Sequence, residues 1–200
     1  MLYVFSDPHF GHINILKYEP LRQKILGATI EDHDKTLLQR INSKVRPEDT
    51  LACLGDFSQM AGGGAVRKYR EQIKCENVIL ILGNHDKHSV PYYYRCGFSV
   101  VCYEMMIKIA GEFVRLRHHP YRKPWYKVIF PWQYREKDRA KRPINHGSWL
   151  LHGHTHSGQA TKVIGKQINV GVDLNNYYPV SQRQLESIIA TAKNKNSKKR

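Results

Sequence analysis

The chain has 200 residues, of which 41% are hydrophobic, and a formal net charge of +15 at pH 7. This length suits one domain, with a core large enough to fold without disulfides or a structural metal ion. No stretch approaches the ~20 apolar residues of a membrane helix, and the first residues lack the pattern of a signal peptide, so the sequence excludes a membrane-spanning protein and predicts a cytoplasmic one.

The first half of the chain alternates short apolar strands with helices. Strands are predicted over Leu2–Phe5, residues 50–54 and residues 78–82, and helices over residues 31–45 and 65–74. Continuous apolar strands of this kind are typical of a largely parallel sheet, in which ligands gather at the carboxyl ends of the strands. A polar cluster follows each strand, namely Asp7-Pro8-His9, Gly55-Asp56 and Gly83-Asn84-His85-Asp86.

The second half is predicted to contain two antiparallel hairpins. The first has its arms at residues 100–109 and 112–117, and the second spans residues 161–170. Two more polar clusters lie here, His118-His119-Pro120 after the first hairpin and Gly153-His154-Thr155-His156 after an apolar strand at 149–151.

The C-terminal part is predicted to be a helix followed by a basic tail. Ser181 and Gln184 fit a capping box, which opens a helix predicted to end at about Ala192. Five of the eight residues at 193–200 are Lys or Arg and none is acidic, which predicts a disordered tail after a domain of residues 1–192.

The polar clusters contain the ligand types of a two-metal hydrolytic site. Two divalent ions about 3.5–4 Å apart need a bridging carboxylate and a mixture of oxygen and nitrogen donors. Asp7 and His9 are two residues apart, so in an extended backbone both side chains point to one face, and His154 and His156 share this spacing. The seven candidate ligands are Asp7, His9, Asp56, Asn84, His118, His154 and His156.

One of these ligands has an adjacent alternative. Strand alternation places Val114, Leu116 and His118 on one face, and His119 on the other. If the aliphatic face points inward, His118 is the ligand. We therefore favour His118 over His119.

The series DPH, GD, GNHD, HHP and GHTH resembles the motifs of the calcineurin-like metallophosphoesterase superfamily, over roughly residues 1–175. The opening SDPHFGHINI and the later NVGVD resemble its small bacterial and phage-type branch. The resemblance implies an α/β fold, a single-domain β-sandwich flanked by helices in α/β/β/α layers. It also implies two divalent ions, with Mn²⁺ expected and Fe, Zn, Ni or Co as alternatives.

The resemblance assigns a role to each motif. His85 is implied to contact the scissile phosphate and assist the leaving group, rather than to bind a metal, and Asp86 is better placed to orient His85 or its loop. A hydroxide bridging the metals is the expected nucleophile. One metal is implied to be held by Asp7, His9 and His156 and the other by Asn84, His118 and His154, with Asp56 bridging.

Residues 119–147 form an aromatic and basic insert between the fourth and fifth motifs. It carries eight Lys or Arg residues against two acidic ones, interleaved with aromatic side chains such as Trp125 and Tyr126. Such a segment suits a nucleotide or single-stranded nucleic acid, although a packed cap with solvated charges fits it equally well. The candidate substrate contacts are Arg122, Trp125, Tyr126 and, at the rim of the site, His12.

The sequence thus predicts a metal-dependent phosphodiesterase, in which Asp56 and His85 carry the chemistry. The histidine of GNHD favours diester cleavage, since a poor alkoxide leaving group benefits most from a proton donor. The alternatives are a phosphomonoesterase, including a protein phosphatase, and a nucleic-acid-binding scaffold with a vestigial metal site.

Overall fold

The structure of the protein, a computed structural model, describes residues 1–59, 64–122, 141–156 and 163–197. This part of the chain contains two five-stranded sheets and six α-helices. In chain order the elements are β1 (Leu2–Phe5), α1 (Ile15–Tyr18), α2 (Pro20–Ile25), α3 (Ile30–Lys44), β2 (Thr50–Cys53), α4 (Gly64–Gln72), β3 (Asn77–Ile81), α5 (Val90–Arg95), β4 (Val100–Cys102), β5 (Met105–Ile109), β6 (Glu112–Leu116), β7 (Trp149–His152), β8 (Val163–Ile164), β9 (Gln167–Asn169), a 3₁₀ turn (Val172–Leu174), β10 (Val180–Ser181) and α6 (Gln182–Ser197).

The first sheet has the strand order β10-β1-β2-β3-β4. The strands β1 to β4 run parallel, and only the short β10 is antiparallel to its neighbour. The prediction of a largely parallel sheet in the first half of the chain is confirmed. Its carboxyl ends lie along one edge, where the loops after β1, β2 and β3 meet.

Side chains alternate between two cores along the strands of this sheet. Phe5 and Leu51 pack against the helices on one face, in a cluster that includes Leu37 of α3. Val4 and Ala52 point the other way, into a second cluster shared with the other sheet. Because both faces are covered, these strands read as continuous apolar runs in the sequence.

The second sheet has the order β5-β6-β7-β9-β8 and supplies the other half of the sandwich core. The two outer strand pairs, β5 with β6 and β8 with β9, are antiparallel, as predicted for the two hairpins. The strands β6, β7 and β9 run parallel. The prediction of one strand over residues 100–109 is wrong. Residues 100–102 form β4 of the first sheet, and the chain then crosses at Tyr103 and Glu104 to begin β5 of the second sheet.

The last helix, α6, joins the two sheets at their edge. It contacts β1 and β10 of the first sheet and β5 of the second, and its Leu185 and Ile189 lie in the sandwich core. The capping box is confirmed, since the Ser181 amide donates to Gln184 Oε1 at 2.9 Å and the Gln184 amide to Ser181 Oγ at 3.3 Å. The helix does not end near Ala192 but continues to Ser197, into the segment predicted as a disordered tail.

Together these features confirm a single-domain α/β fold with two stacked sheets and flanking helices. The sequence did not predict the short helices α1, α2 and α5, which are only four to six residues long. In the part of the chain that is described, no helix combines the length and apolarity needed to cross a membrane.

Candidate metal centre

All seven predicted ligands lie in loops at the carboxyl ends of strands, at one edge of the sandwich. The loops follow β1, β2 and β3 in the first sheet and β6 and β7 in the second. Two hydrogen bonds join the first two loops directly, from the Asp7 amide to the Gly55 carbonyl and from the His9 amide to the Asp56 carbonyl, both at 3.1 Å. The sandwich therefore brings together ligands up to 149 positions apart in the sequence, from Asp7 to His156.

Four of the predicted ligands adopt a left-handed backbone conformation. The φ angles are 59° at Asp7, 51° at His9, 54° at Asp56 and 66° at His154. This region is sparsely populated by residues other than glycine, and where it occurs it clusters at functional sites. The expectation that Asp7 and His9 share a face because the backbone is extended is therefore wrong, although their side chains do converge.

Two glycines allow the loops to approach each other closely. A Cβ on Gly83 would lie 2.6 Å from the backbone nitrogen of Asp56 and would collide with the carboxylate of that residue. A Cβ on Gly153 would collide with the Asp7 carboxylate and with the Ser6 hydroxyl. The glycines in these motifs thus leave the space that the ligand side chains occupy.

The donor atoms form three overlapping groups, and the group of Asp7, Asp56 and His118 links the other two. We call Asp7, His9 and His156 the first cluster and His118, His119 and His154 the second cluster; within each, the donor atoms all lie within 4.8 Å of one another. Either cluster could hold a metal ion.

The Asp56 carboxylate lies between the two clusters. Its Oδ2 is 3.7 Å from Nε2 of His9, in the first cluster, and 3.4 Å from Nε2 of His118, in the second. Its Oδ1 accepts a hydrogen bond of 2.8 Å from the His85 amide. Asp56 is also almost completely buried, so no solvent competes for its oxygens.

Asn84 completes the donor set of the second cluster. Its Oδ1 lies 3.0 Å from both His118 Nε2 and His154 Nδ1. The other nitrogen of His118, Nδ1, donates to the Leu54 carbonyl at 2.8 Å, which leaves Nε2 without a proton in the neutral ring and aimed at Asn84 and Asp56. A backbone carbonyl behind a histidine is the usual way in which a protein orients a metal ligand.

Several buried donor atoms of the site lack a hydrogen-bond partner within the described part of the chain, as expected for atoms that bind a divalent cation. Asp7 Oδ1 and both ring nitrogens of His9 are buried and have no hydrogen-bond partner among the described residues. Buried polar atoms are almost always partnered, and carboxylate, imidazole and amide donors together suit ions such as Mn²⁺, Fe²⁺, Zn²⁺, Co²⁺ or Ni²⁺. A bound divalent ion would account for Asp7 Oδ1 and for one of the two His9 nitrogens, since an imidazole binds an ion through a single nitrogen.

The pKa shifts agree with this role at His9 and His154. They oppose it at His118 and His156, where the effect of burial is outweighed by neighbouring carboxylates that raise the pKa. Burial lowers the pKa of His154 to about 3 and the pKa of His9 well below its usual value, so both rings present lone pairs at neutral pH. Burial also acts to lower the pKa of His118, but the Asp56 carboxylate outweighs it and raises this pKa to about 9. A metal ion bound at His118 must therefore displace a proton.

His119 is buried beside its neighbour rather than facing outward. His118 lies inward with Val114 and Leu116, as the strand alternation predicts. However, β6 ends at Leu116, so the alternation stops there, and the His119 ring packs against that of His154 with centroids 4.4 Å apart. Only His118 approaches both Asp56 and Asn84.

A buried arginine and aspartate support the first cluster and were not predicted from the sequence. Arg22 is fully buried in α2 and donates to both carboxylate oxygens of Asp173 at 2.7 Å, and to the backbone carbonyls of Asp7 at 2.8 Å and Pro8 at 3.1 Å. Asp173 in turn accepts a hydrogen bond of 3.0 Å from His156 Nδ1. The only sequence signal was the aspartate of NVGVD, to which no role was assigned.

Asp86 fixes the loops on the other side of the site. Its carboxylate accepts hydrogen bonds from the amides of Asp56 and Gly83, both at 2.8 Å, and of Phe57 at 3.0 Å. Burial, together with the charge of Asp56, raises the pKa of Asp86 to about 6. The prediction that Asp86 orients the loop is confirmed.

The structure describes two of the four candidate substrate contacts, His12 and Arg122. The half-buried His12 lies beside the site, with its ring centroid 5.3 Å from that of His9 and 6.2 Å from that of His85. Arg122 is half-buried, and its amide donates to the Pro143 carbonyl at 2.9 Å. Trp125 and Tyr126 lie outside the described residues.

Comparison with known proteins gives relatives over nearly the whole chain. An uncharacterized protein of Methanocaldococcus jannaschii is 27% identical over 96% of this chain and 93% of its own. The gene 66 protein of Mycobacterium phage L5 is 30% identical over 84% of each chain. A protein of unknown function from Aquifex aeolicus has a similar crystal structure, with a TM-score of 0.66 and 25% identity over 94% of this chain and 98% of that one.

A family signature also covers most of the sequence. The signature described as calcineurin-like phosphoesterase matches residues 2–166, which include all five polar clusters. Members of such a family act as hydrolases on phosphate esters. This protein belongs to the calcineurin-like phosphoesterase family.

Proposed function

We propose that this protein is a dinuclear metal-dependent phosphoesterase that cleaves phosphodiester bonds, with a nucleotide or nucleic-acid-like substrate. The observation that carries the proposal is the position of Asp56, whose Oδ2 lies within 4 Å of a histidine from each cluster. A carboxylate between two donor sets is what a pair of adjacent divalent ions requires.

In this proposal the first cluster holds one ion, and two histidines of the second cluster hold the other together with Asn84. Asp7, His9 and His156 hold the first, while Asn84, His118 and His154 hold the second, with Asp56 bridging. When bound, the two ions supply Lewis acidity, which activates water as a nucleophile near neutral pH and neutralises charge on the phosphoryl oxygens. We expect Mn²⁺ in both positions.

We assign to His85 the role of assisting the leaving group. Its backbone amide is held by Asp56 Oδ1, and its ring, about a third exposed, lies at the edge of the site with Nε2 3.9 Å from Asp56 Oδ2. The ring also contacts His9 edge-on, with centroids 5.3 Å apart. A partly exposed imidazole at this edge of the site can donate a proton to the departing oxygen.

Replacing His85 with alanine should lower kcat by about a hundredfold, the lower end of what general acid catalysis contributes, without loss of metal. The hydrogen bond from the His85 amide to Asp56 Oδ1 is made by the backbone and is therefore kept in the variant. Steady-state kinetics with Mn²⁺ and metal content after gel filtration would measure the two effects. His88→Ala, in an exposed histidine of the same loop, is the control. Unchanged kcat in His85→Ala would remove His85 from the mechanism.

The preference for diesters is tested with paired chromogenic substrates. We expect Mn²⁺-dependent hydrolysis of bis-p-nitrophenyl phosphate with a kcat/KM at least about tenfold above that for p-nitrophenyl phosphate, and loss of both activities in EDTA. A preference for the monoester would indicate a phosphomonoesterase. Fewer than one bound ion per chain together with no chelator-sensitive hydrolysis would instead indicate a scaffold with a vestigial site.

A further inference from the structure

A cavity of about 210 Å³ opens directly beside the second cluster. Its lining includes Asn84, His118 and His119, so it shares residues with the candidate metal centre. Pockets that enclose a drug-sized ligand measure roughly 300–1,000 Å³. This cavity is smaller, and therefore suits one group of a larger substrate whose scissile phosphate lies at the metals.

Two cationic residues also line the cavity. Arg117 and Lys141 line it together with the exposed ring of Tyr103. Arg117 directly follows β6 and directly precedes the predicted metal ligand His118. None of the cavity-lining residues among those described is acidic.

Arg117 is held in place by contacts that do not use all of its donors. Its Nη1 donates to Glu104 Oε2 at 2.8 Å and its Nη2 to the Lys141 carbonyl at 3.2 Å. Glu104 is shared with a second arginine, since Arg115 Nε lies 3.4 Å from Glu104 Oε1. One carboxylate therefore faces two guanidiniums, and with Lys141 the group keeps an excess of positive charge.

A fixed guanidinium next to a lysine is a good receptor for a phosphate group. A guanidinium has five N–H donors in a planar fork that matches phosphate geometry, and such charge-assisted hydrogen bonds are about twice as strong as neutral ones. The aromatic face of Tyr103 beside these cations suits a ring attached to that phosphate. A neutral or cationic substituent would leave the positive charge of Arg117 and Lys141 unbalanced.

We propose that this cavity is a distal subsite, which binds a second phosphate of the substrate through Arg117 and Lys141. The proposal rests on the phosphoesterase function proposed above, and narrows the substrates to those that carry a second phosphate close to the scissile one. The second phosphate can be the terminal phosphate of a small nucleotide or the next phosphate along a nucleic-acid strand.

The test compares the thymidine compounds TpT, pTpT and TpTpT as substrates with Mn²⁺. We expect kcat/KM for pTpT, TpTpT or both to exceed that for TpT by roughly tenfold to a hundredfold, which corresponds to charge-assisted hydrogen bonds of 1.5–3 kcal/mol. A gain with pTpT alone identifies a terminal phosphate, and a gain with TpTpT alone identifies a strand. Equal values for all three compounds would overturn the subsite.

Substitutions at Arg117 and Lys141 test whether these two residues bind the second phosphate. In Arg117→Gln and in the double variant Arg117→Gln, Lys141→Gln, the advantage of the second phosphate should fall by at least about tenfold. The matched control is Arg115→Gln, which also loses a partner of Glu104 but does not line the cavity, and it should keep the wild-type ratio. An undiminished ratio in the double variant, or an equal loss in the control, would refute the proposal.

Binding measurements test the distal subsite independently of the proposed phosphoesterase function. Failure to hydrolyse bis-p-nitrophenyl phosphate, which has a single phosphate, would count against the phosphoesterase function alone. The dissociation constants of TpT, pTpT and TpTpT, measured by calorimetry in EDTA on the wild type, Arg117→Gln and Arg115→Gln, report on the subsite without catalysis. An Arg117-dependent advantage of pTpT, TpTpT or both is expected there, and its absence for both compounds would overturn the subsite even in an active enzyme.

Discussion

Asp56→Asn is expected to lose tightly bound metal from both positions and to lower Mn²⁺-dependent kcat/KM by at least about a thousandfold. The Lewis acidity of bound ions is worth several kcal/mol in the transition state, and each 1.4 kcal/mol is a factor of ten in rate. Asparagine keeps the size of the side chain but removes the negative charge that faces His9 and His118 at 3.7 and 3.4 Å. Metal content by mass spectrometry and kinetics with added Mn²⁺ measure the result.

The negative charge of Asp56 is the property that asparagine cannot supply. Burial favours the protonated carboxyl, but the hydrogen bond and charge of His118 outweigh it and hold the pKa of Asp56 below its usual value. The carboxylate is thus ionised at neutral pH and ready to balance two cations.

Asp49→Asn is the matched control for this variant. Asp49 is another buried aspartate, at the opposite end of β2, where it pairs with the N-terminal ammonium at 2.6 Å. That variant should lose some stability and keep its metal. If Asp56→Asn kept two ions per chain, or if both variants lost metal alike, a bridging role for Asp56 would be untenable.

The strands and the edge where the loops meet could be predicted because the sequence encodes them locally. Leu2–Phe5 and the predicted strands that correspond to β2 and β3 are apolar runs, and each is followed by a polar cluster. The parallel order follows from the helices between them. By contrast, nothing between Cys102 and Met105 marks the crossing from one sheet to the other, because no glycine or proline interrupts that run.

The geometry of the site depends on contacts that no local pattern encodes. Arg22 and Asp173 are 151 positions apart, and Arg22 lies in a short helix without an apolar period that would have revealed it. The left-handed conformations of Asp7 and His9 are likewise imposed by the loops around them. Motif spacing could therefore name candidate ligands, but it could not show how the backbone aims them or what supports them.

Replacing Arg22 with methionine is expected to lower the free energy of unfolding by about 3–5 kcal/mol, the cost of removing one partner of a buried ion pair. The Asp173 carboxylate would stay buried without its guanidinium, and the carbonyls of Asp7 and Pro8 would lose their donor. The loop that carries Asp7 and His9 would then be held less firmly. Urea unfolding at pH 7 measures the loss.

The stability that this ion pair contributes depends on pH with a defined sign. Burial raises the pKa of Asp173, but the hydrogen bonds from His156 and Arg22 outweigh it and lower this pKa below the ordinary value of 3.8. The pair therefore contributes its full stability above that value and loses it as the pH falls through the lower folded-state pKa. In the wild type, the stability contributed by Asp173 should thus be constant from pH 5 upward and be lost only in stronger acid.

The variant should also weaken metal binding at the first cluster by about 10- to 100-fold, as the loss of groups behind metal ligands commonly does. Arg70→Met separates this effect from general destabilisation, since Arg70 is another buried arginine, which donates to the carbonyls of Gly97, Ile73 and Glu76 away from the site. Both variants should unfold at lower urea concentration, but only Arg22→Met should release metal in a competition titration with a chelator. Equal metal affinity in the two variants would show that Arg22 stabilises the fold without positioning the metal ligands.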